Sequence, residues 1–437
     1  MSVDLLVRGG TVVTGSSVAL ADVAVTDGRI TEVGWHLDLT AGEVIEARGL
    51  HVFPGGIDSH VHFNEPGRTQ WETIANGSAA LAAGGYTTFV DMPLNSLPVT
   101  TTAAAYDAKL TAMERSSALD YGLWAGLVPG NLGELRPLVE RGAAGFKAFM
   151  CPSGIDEFPA CDEAVLREGM ARIAELDSIL LVHAEDPALV ASGPGGPTPR
   201  DFLRSRPAEA EVRAIEQAVD LASKTGCRLH VVHVSTARGA ELIHDARLAG
   251  ADVTGETCPH YLLYTERDLE SIGGEAKCAP PFRTEEDRDT LWRMLADGRL
   301  PMVVSDHSPS TRDLKHEEDF TRAWGGISGC QSTRQLLLAE GKLNLGAIAA
   351  VTATNIAGRF GLTHKGDIAP GFDADLWLAD LSWTGTVRAE DLLYRNPFSA
   401  HEGRPIRGRT ICTLVRGRKV VPGAPATGRF IRGGVRS

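Results

Sequence analysis

Eight apolar runs across residues 56–308, separated by helix-forming stretches, restrict this chain more than any other feature. They are GIDSHVHF from 56, YTTFVDM from 86, YGLWAGL from 121, GFKAFM from 145, SILLVHAED from 178, RLHVVHVS from 228, ADVTGETCPH from 251 and PMVVSDHS from 301. Between them lie Ala-, Leu- and Glu-rich stretches such as AVLREGMARIAEL and AEVRAIEQAVDLASKTG. Strands that alternate with helices run parallel, because each helix carries the chain back to the starting edge. Eight of them over this length predict an α/β fold, a closed (β/α)8 TIM-type barrel. An open dinucleotide-binding sheet would carry GxGxxG after its first strand, and none is present.

The two ends differ from the middle. DLLVRGGTVV, DVAVTDGRI and GEVIEARG near the start are short β-type segments, and Asp27-Gly28 is a hairpin signal. DADLWLADL and RTICTLVRGRKVV near the end have the same character. Residues 1–52 and 366–437 are therefore expected to build one small composite β domain, and residues 53–365 the catalytic barrel.

At 437 residues there is enough chain for a large core and a second small domain. A net charge of −13 argues against nucleic acid or an anionic membrane as partner. Seven scattered cysteines with no CxxC predict reduced thiols and a cytoplasmic setting. No basic-then-apolar leader and no apolar run of about 20 residues is read, so neither a signal peptide nor a membrane helix is expected.

In a parallel barrel the chemistry gathers where strands end. Several runs close on polar residues: His60 and His62, Asp91, Lys147, His183, His233, His260 and Asp306. His60 and His62 are two apart, so on a strand both point to one face, roughly 7 Å apart along it. Two imidazoles so placed can converge on a cation. Lys147 stands between Phe146 and Phe149. Such a lysine either pairs with a barrel carboxylate or sheds its proton and becomes a reactive neutral amine. His233 and His230 are three apart, which predicts opposite faces. His233, nearer the strand's end, is the expected ligand, and His230 is assigned to packing. Asp306 suits two roles, helix N-cap with Ser308 or metal ligand and proton acceptor. His307 is expected to point away.

GIDSHVHFNEPG, GFKAFM, LLVHAED, HVVHVS and VVSDHSP resemble the cyclic amidohydrolases of the amidohydrolase superfamily: dihydropyrimidinases, hydantoinases, dihydroorotases and allantoinases. TNIAGRFGL and KGDIAPGFDADL extend the likeness over nearly the whole chain. The resemblance implies six metal ligands: His60, His62, Lys147, His183, His233 and Asp306. It implies two divalent ions, most often zinc, bridged by N6-carboxylated Lys147 and a hydroxide, with Asp306 as catalytic proton acceptor. It also implies a homotetramer. HFNEPGRTQWE, DMPLNSLPVTT, CPHYL, KCAPPFR and WGGISGCQS look most like allantoinases, with a hydantoinase or dihydropyrimidinase as the alternative. Asn64 stands where dihydroorotases usually have Arg, and Cys151-Pro152-Ser153-Gly154 lacks the Tyr usual in hydantoinases. Allantoin, a neutral ureido-hydantoin, is the implied substrate, with Asn95, Ala279, Ser308 and Ser328 as its contacts. Ala279 departs from the family's common Ser.

Overall fold

The structure is a computed structural model that describes residues 2–191, 196–316, 318–423 and 425–433. Five strands open the chain: β1 (Ser2–Val13), β2 (Val18–Thr26), β3 (Arg29–Gly34), β4 (Thr40–Glu46) and β5 (His51–Pro54). The expected hairpin joins β2 to β3, with Asp27 and Gly28 at φ 51° and 76°. Positive φ at both central residues gives the turn a twist that matches its flanking strands.

The barrel strands are β6 (Gly56–Val61), β7 (Tyr86–Asp91), β8 (Asp120–Leu123), β9 (Ala125–Gly126), β10 (Phe146–Phe149), β11 (Ile179–His183), β12 (Arg228–Val231), β13 (Val253–Thr257) and β14 (Met302–Val303). β8 and β9 are two halves of one strand, broken at Trp124. The first half pairs with β7 and the second with β10, all parallel. The remaining pairs from β10 to β14 are also parallel. Closure comes from a parallel bridge between Val61 and His307, where His62 N donates to His307 O at 2.8 Å. Each apolar run of the sequence thus supplies one barrel strand.

Helices pack outside. Ala208–Thr225 buries Ala210, Ala214, Ile215, Ala218, Leu221 and Ala222 on one stripe and stops at Gly226, φ 70°. A left-handed glycine ends a helix without a Cβ clash. No helix among the described residues is long and apolar enough to cross a membrane.

Three strands close the β domain: β15 (Leu376–Thr386), β16 (Pro405–Val415) and β17 (Arg418–Lys419). One sheet combines both ends of the chain, because β15 pairs with β5 and β5 with β1. The sheet docks under the barrel through Trp377 and the buried Arg334. Arg334 donates to the carbonyls of Pro54 and Gly85 and stacks 4.3 Å from Trp377. Gly85 is required there, since a Cβ would lie 2.4 Å from the indole.

Not all of 366–437 stays in the sheet. Arg395 N donates to Glu72, Asn396 to the carbonyl of Trp71, and Ile431 N to that of Tyr121, so parts of this stretch lie on the barrel. Residues 1, 424 and 434–437 of the expected β domain lie outside the described residues. All seven cysteines are free and buried.

Candidate active site

The six expected ligands come together at the strands' C-terminal ends, around a cavity of about 370 Å³. His60 sits on β6 and His62 just beyond it. The Nδ1 of His60 lies 2.7 Å from Glu256 Oε1, and that of His62 2.6 Å from the carbonyl of Leu94. Each ring is thereby fixed with its Nε2 free, at 3.2 and 3.6 Å from Asp306 Oδ1. His183, the last residue of β11, bonds Glu185 through Nε2 at 2.7 Å and turns Nδ1 to within 3.1 Å of His233 Nε2. His60, His233 and Asp306 bring ligand atoms within 4.8 Å of one another.

Two of these residues hold unusual backbone. His233 and Asp306 have φ of 41° and 46°. Left-handed backbone is costly for residues with a Cβ and clusters where function demands it. Here it turns the side chain inward just past the end of a strand.

Electrostatics suits cations. Burial holds His60, His183 and His233 below the ordinary histidine range, which leaves the imidazoles neutral, the ligating form. Burial would raise Asp306, but His60, His62 and His233 hold it well below the usual carboxylate range. Lys147, 1 % exposed, has no hydrogen-bond partner among the described residues, and burial pulls it down to about 7. No barrel carboxylate among the described residues pairs with it. An orphaned buried amine amid neutral imidazoles and an ionised carboxylate is a donor set fitted to divalent ions.

A supporting layer escaped the sequence reading. Glu256 bridges His60 and His230, its Oε2 lying 3.0 Å from His230 Nε2. Glu185 accepts from both His183 and the half-buried Arg206, and these partners outweigh burial to hold it at about 2. Glu256 had a signal, an acid inside an apolar strand. Arg206 had none.

His230 packs inside the barrel, as its assignment to packing expects, beside Phe360 and with Glu256 between it and His60. β12 ends at Val231, so the two-residue period no longer applies at His233. Asp91 is spent on structure, pairing with Lys109 at 2.7 Å and accepting from Phe63 N. His260 is buried, pulled to about 4, and absent from the cavity wall, although it lies near Cys258 and Asp306. His307 faces Glu72 and Tyr394, away from the cavity.

Of the expected substrate contacts, Asn95, Ala279 and Ser308 line the cavity. Ser328 does not. Its carbonyl is taken by Ser399 Oγ, and the residue is buried behind the wall. Asn64 also lies behind it, donating to Pro309 O at 3.3 Å. Ser153 and Gly154 line the cavity where a Tyr was missed, and burial pushes the Cys151 thiol up to about 12, leaving it inert. A larger groove of about 710 Å³ follows the seam between barrel and β sheet and holds none of the six ligands.

The fold and site define an α/β-barrel hydrolase with a candidate cation centre at the C-terminal edge of its strands. The chain belongs to the amidohydrolase family, whose profile matches residues 51–419. It is 51% identical to an allantoinase of Rubrobacter xylanophilus, covering 98% of this chain and 97% of that one. An allantoinase of Solibacter usitatus is 48% identical, covering 95% and 93%. Among solved structures, an L-hydantoinase (dihydropyrimidinase) from Arthrobacter aurescens superposes with a TM-score of 0.94 at 33% identity, covering 98% of this chain and all of that one.

Proposed function

We propose that the chain is an allantoinase, opening the hydantoin ring of allantoin to give allantoate. The observation that carries this reading is a donor set of hydrolase type in a chain 51% and 48% identical to allantoinases over nearly full length. The match to the L-hydantoinase structure, at 33% identity, supports the shared barrel and ring chemistry more than the choice of substrate.

His60, His62, His183, His233, Lys147 and Asp306 would hold two divalent cations, zinc by preference for this nitrogen-rich set. Bound there, the ions supply Lewis acidity that polarises a ring carbonyl and activates water. Lys147 contributes its neutral amine. The nitrogen lone pair forms a bond to the carbon of CO2, a proton leaves to solvent, and the resulting carbamate carries a negative charge on two oxygens. Asp306 moves the proton of the hydrolysis. It accepts one from the attacking water and returns it to the ring nitrogen as the C–N bond breaks. Glu256, Glu185 and the Leu94 carbonyl keep three imidazoles in the required orientation. The buried free thiols support a cytoplasmic setting, and the family resemblance supports a homotetramer.

The test is turnover of allantoin, hydantoin, dihydrouracil and dihydroorotate by the metal-replete protein. Allantoin is expected to lead in kcat/KM by at least about tenfold. Dominant turnover of dihydrouracil or hydantoin would overturn the assignment.

A further inference from the structure

Residues 321–326 contribute an unbroken stretch of cavity wall, and none is a ligand candidate. The stretch has no regular secondary structure, yet it is held tightly. Lys277 Nζ donates to the carbonyls of Phe320 at 2.8 Å, Thr321 at 2.8 Å and Ala323 at 2.7 Å. A lysine has three donors, and all three are spent on this one loop. Gly326 N returns a bond to Lys277 O at 2.8 Å. Lys315 secures the far end, donating to the carbonyls of Trp324 and Gly326. Lys277 is 6 % exposed, lies 4.9 Å from the Phe202 ring, and stands two residues before Ala279, which also faces the cavity.

The reacting carbonyl must sit among the ligand residues, so the substituent on the ring is left to the remaining wall. That wall carries an uncommitted donor. Trp324 Nε1 is buried and has no acceptor among the described residues. A ureido group offers a carbonyl oxygen that such an N–H can serve.

We propose that Lys277 is a positioning residue for substrate specificity, fixing the 320–326 loop as the wall that receives the ureido substituent. This rests on the allantoinase reading. Lys277 takes no part in the ring-opening step, which stays with the residues around Asp306.

The test compares allantoin with unsubstituted hydantoin, measuring kcat and KM separately for metal-replete wild type, Lys277→Met, Lys277→Arg and Trp324→Phe. Lys277→Met should raise KM for allantoin about tenfold, with kcat and the kcat/KM for hydantoin held within about twofold. Lys277→Arg, which keeps a charged donor, should recover most of the loss. Trp324→Phe, which keeps the ring and removes the N–H, should move KM for allantoin the same way by about threefold or more. It also decides the matter should Lys277→Met not fold. Equal losses on both substrates, or an unchanged KM for allantoin in the folded variants, would overturn the proposal. A wild type that turns over neither substrate would instead sink the allantoinase reading, and this inference with it.

Discussion

Lys147 and Lys365 are both buried lysines, and their surroundings are opposite. Lys365 Nζ lies 2.6 Å from Asp120, 2.9 Å from Asp373 and 2.7 Å from Asp375. Burial works against its charge, but the three carboxylates overcome it and hold the ammonium above the ordinary lysine range. Lys147 Nζ has no hydrogen-bond or carboxylate partner among the described residues, and burial pulls it down to about 7. The first cluster ties a barrel strand to the segment leading into the β sheet, with Arg416 also bonding Asp120. It is complete as it stands. The second is complete only with something added. Burial of a charge-bearing group therefore says little about function, whereas burial without a partner says much.

Exchanging each lysine for an apolar residue should separate the two roles. Lys147→Ala should lower kcat/KM on the order of a thousandfold or more, about 4 kcal/mol of transition-state stabilisation. Its thermal midpoint should hold or rise, because an unpaired buried amine contributes no stability. Lys365→Met should do the reverse. Three carboxylates would lose the ammonium they share, leaving Asp375 with no cation among the described residues, at a cost of roughly 3 kcal/mol or more in denaturant unfolding, while kcat of the folded fraction stays near wild type.

Smaller effects sharpen the contrast. Glu256→Gln should weaken metal affinity by about 10- to 100-fold, read by competition with a chelator, because it loosens His60 without removing a ligand. His401 tests the ordinary cost of burial. Its pKa is lowered from 6.5 to about 3, first by burial, then by His260 and Arg404. A histidine with a lowered folded pKa gives stability that is full above 6.5 and is lost as pH falls toward 3, since the unfolded chain takes up the proton first. Roughly 2 kcal/mol should disappear between neutrality and about pH 5. His401→Gln should flatten that part of the thermal-midpoint profile. Least affected should be Ala279→Ser, where an added hydroxyl on the cavity wall should change KM for allantoin by less than about threefold.

The barrel was legible because its signal is local. Each strand is a run of apolar residues, and each ligand lies in one or just beyond its end. The HxH pair also needed only neighbouring residues. What escaped notice acts across the chain. Glu256 meets His60 from 196 positions away, and Arg206 meets Glu185 through a fold that no short window displays. His230 packs as expected, but opposite faces for His230 and His233 do not follow from alternation, because β12 ends at Val231. Ser328 was expected at the substrate, but packing against the 387–404 segment draws it behind the wall. Lys277 lay in a motif noted for its family likeness, and only the folded loop shows what its ammonium holds.

The unpaired amine of Lys147 is the group on which the proposed cation centre depends. Adding zinc and 13C-bicarbonate to metal-depleted protein, with 13C NMR as readout, tests it directly. A carbamate resonance should appear in wild type together with hydrolysis of allantoin, and neither should appear in Lys147→Ala. Full metal occupancy and activity with no carbamate signal would contradict the account.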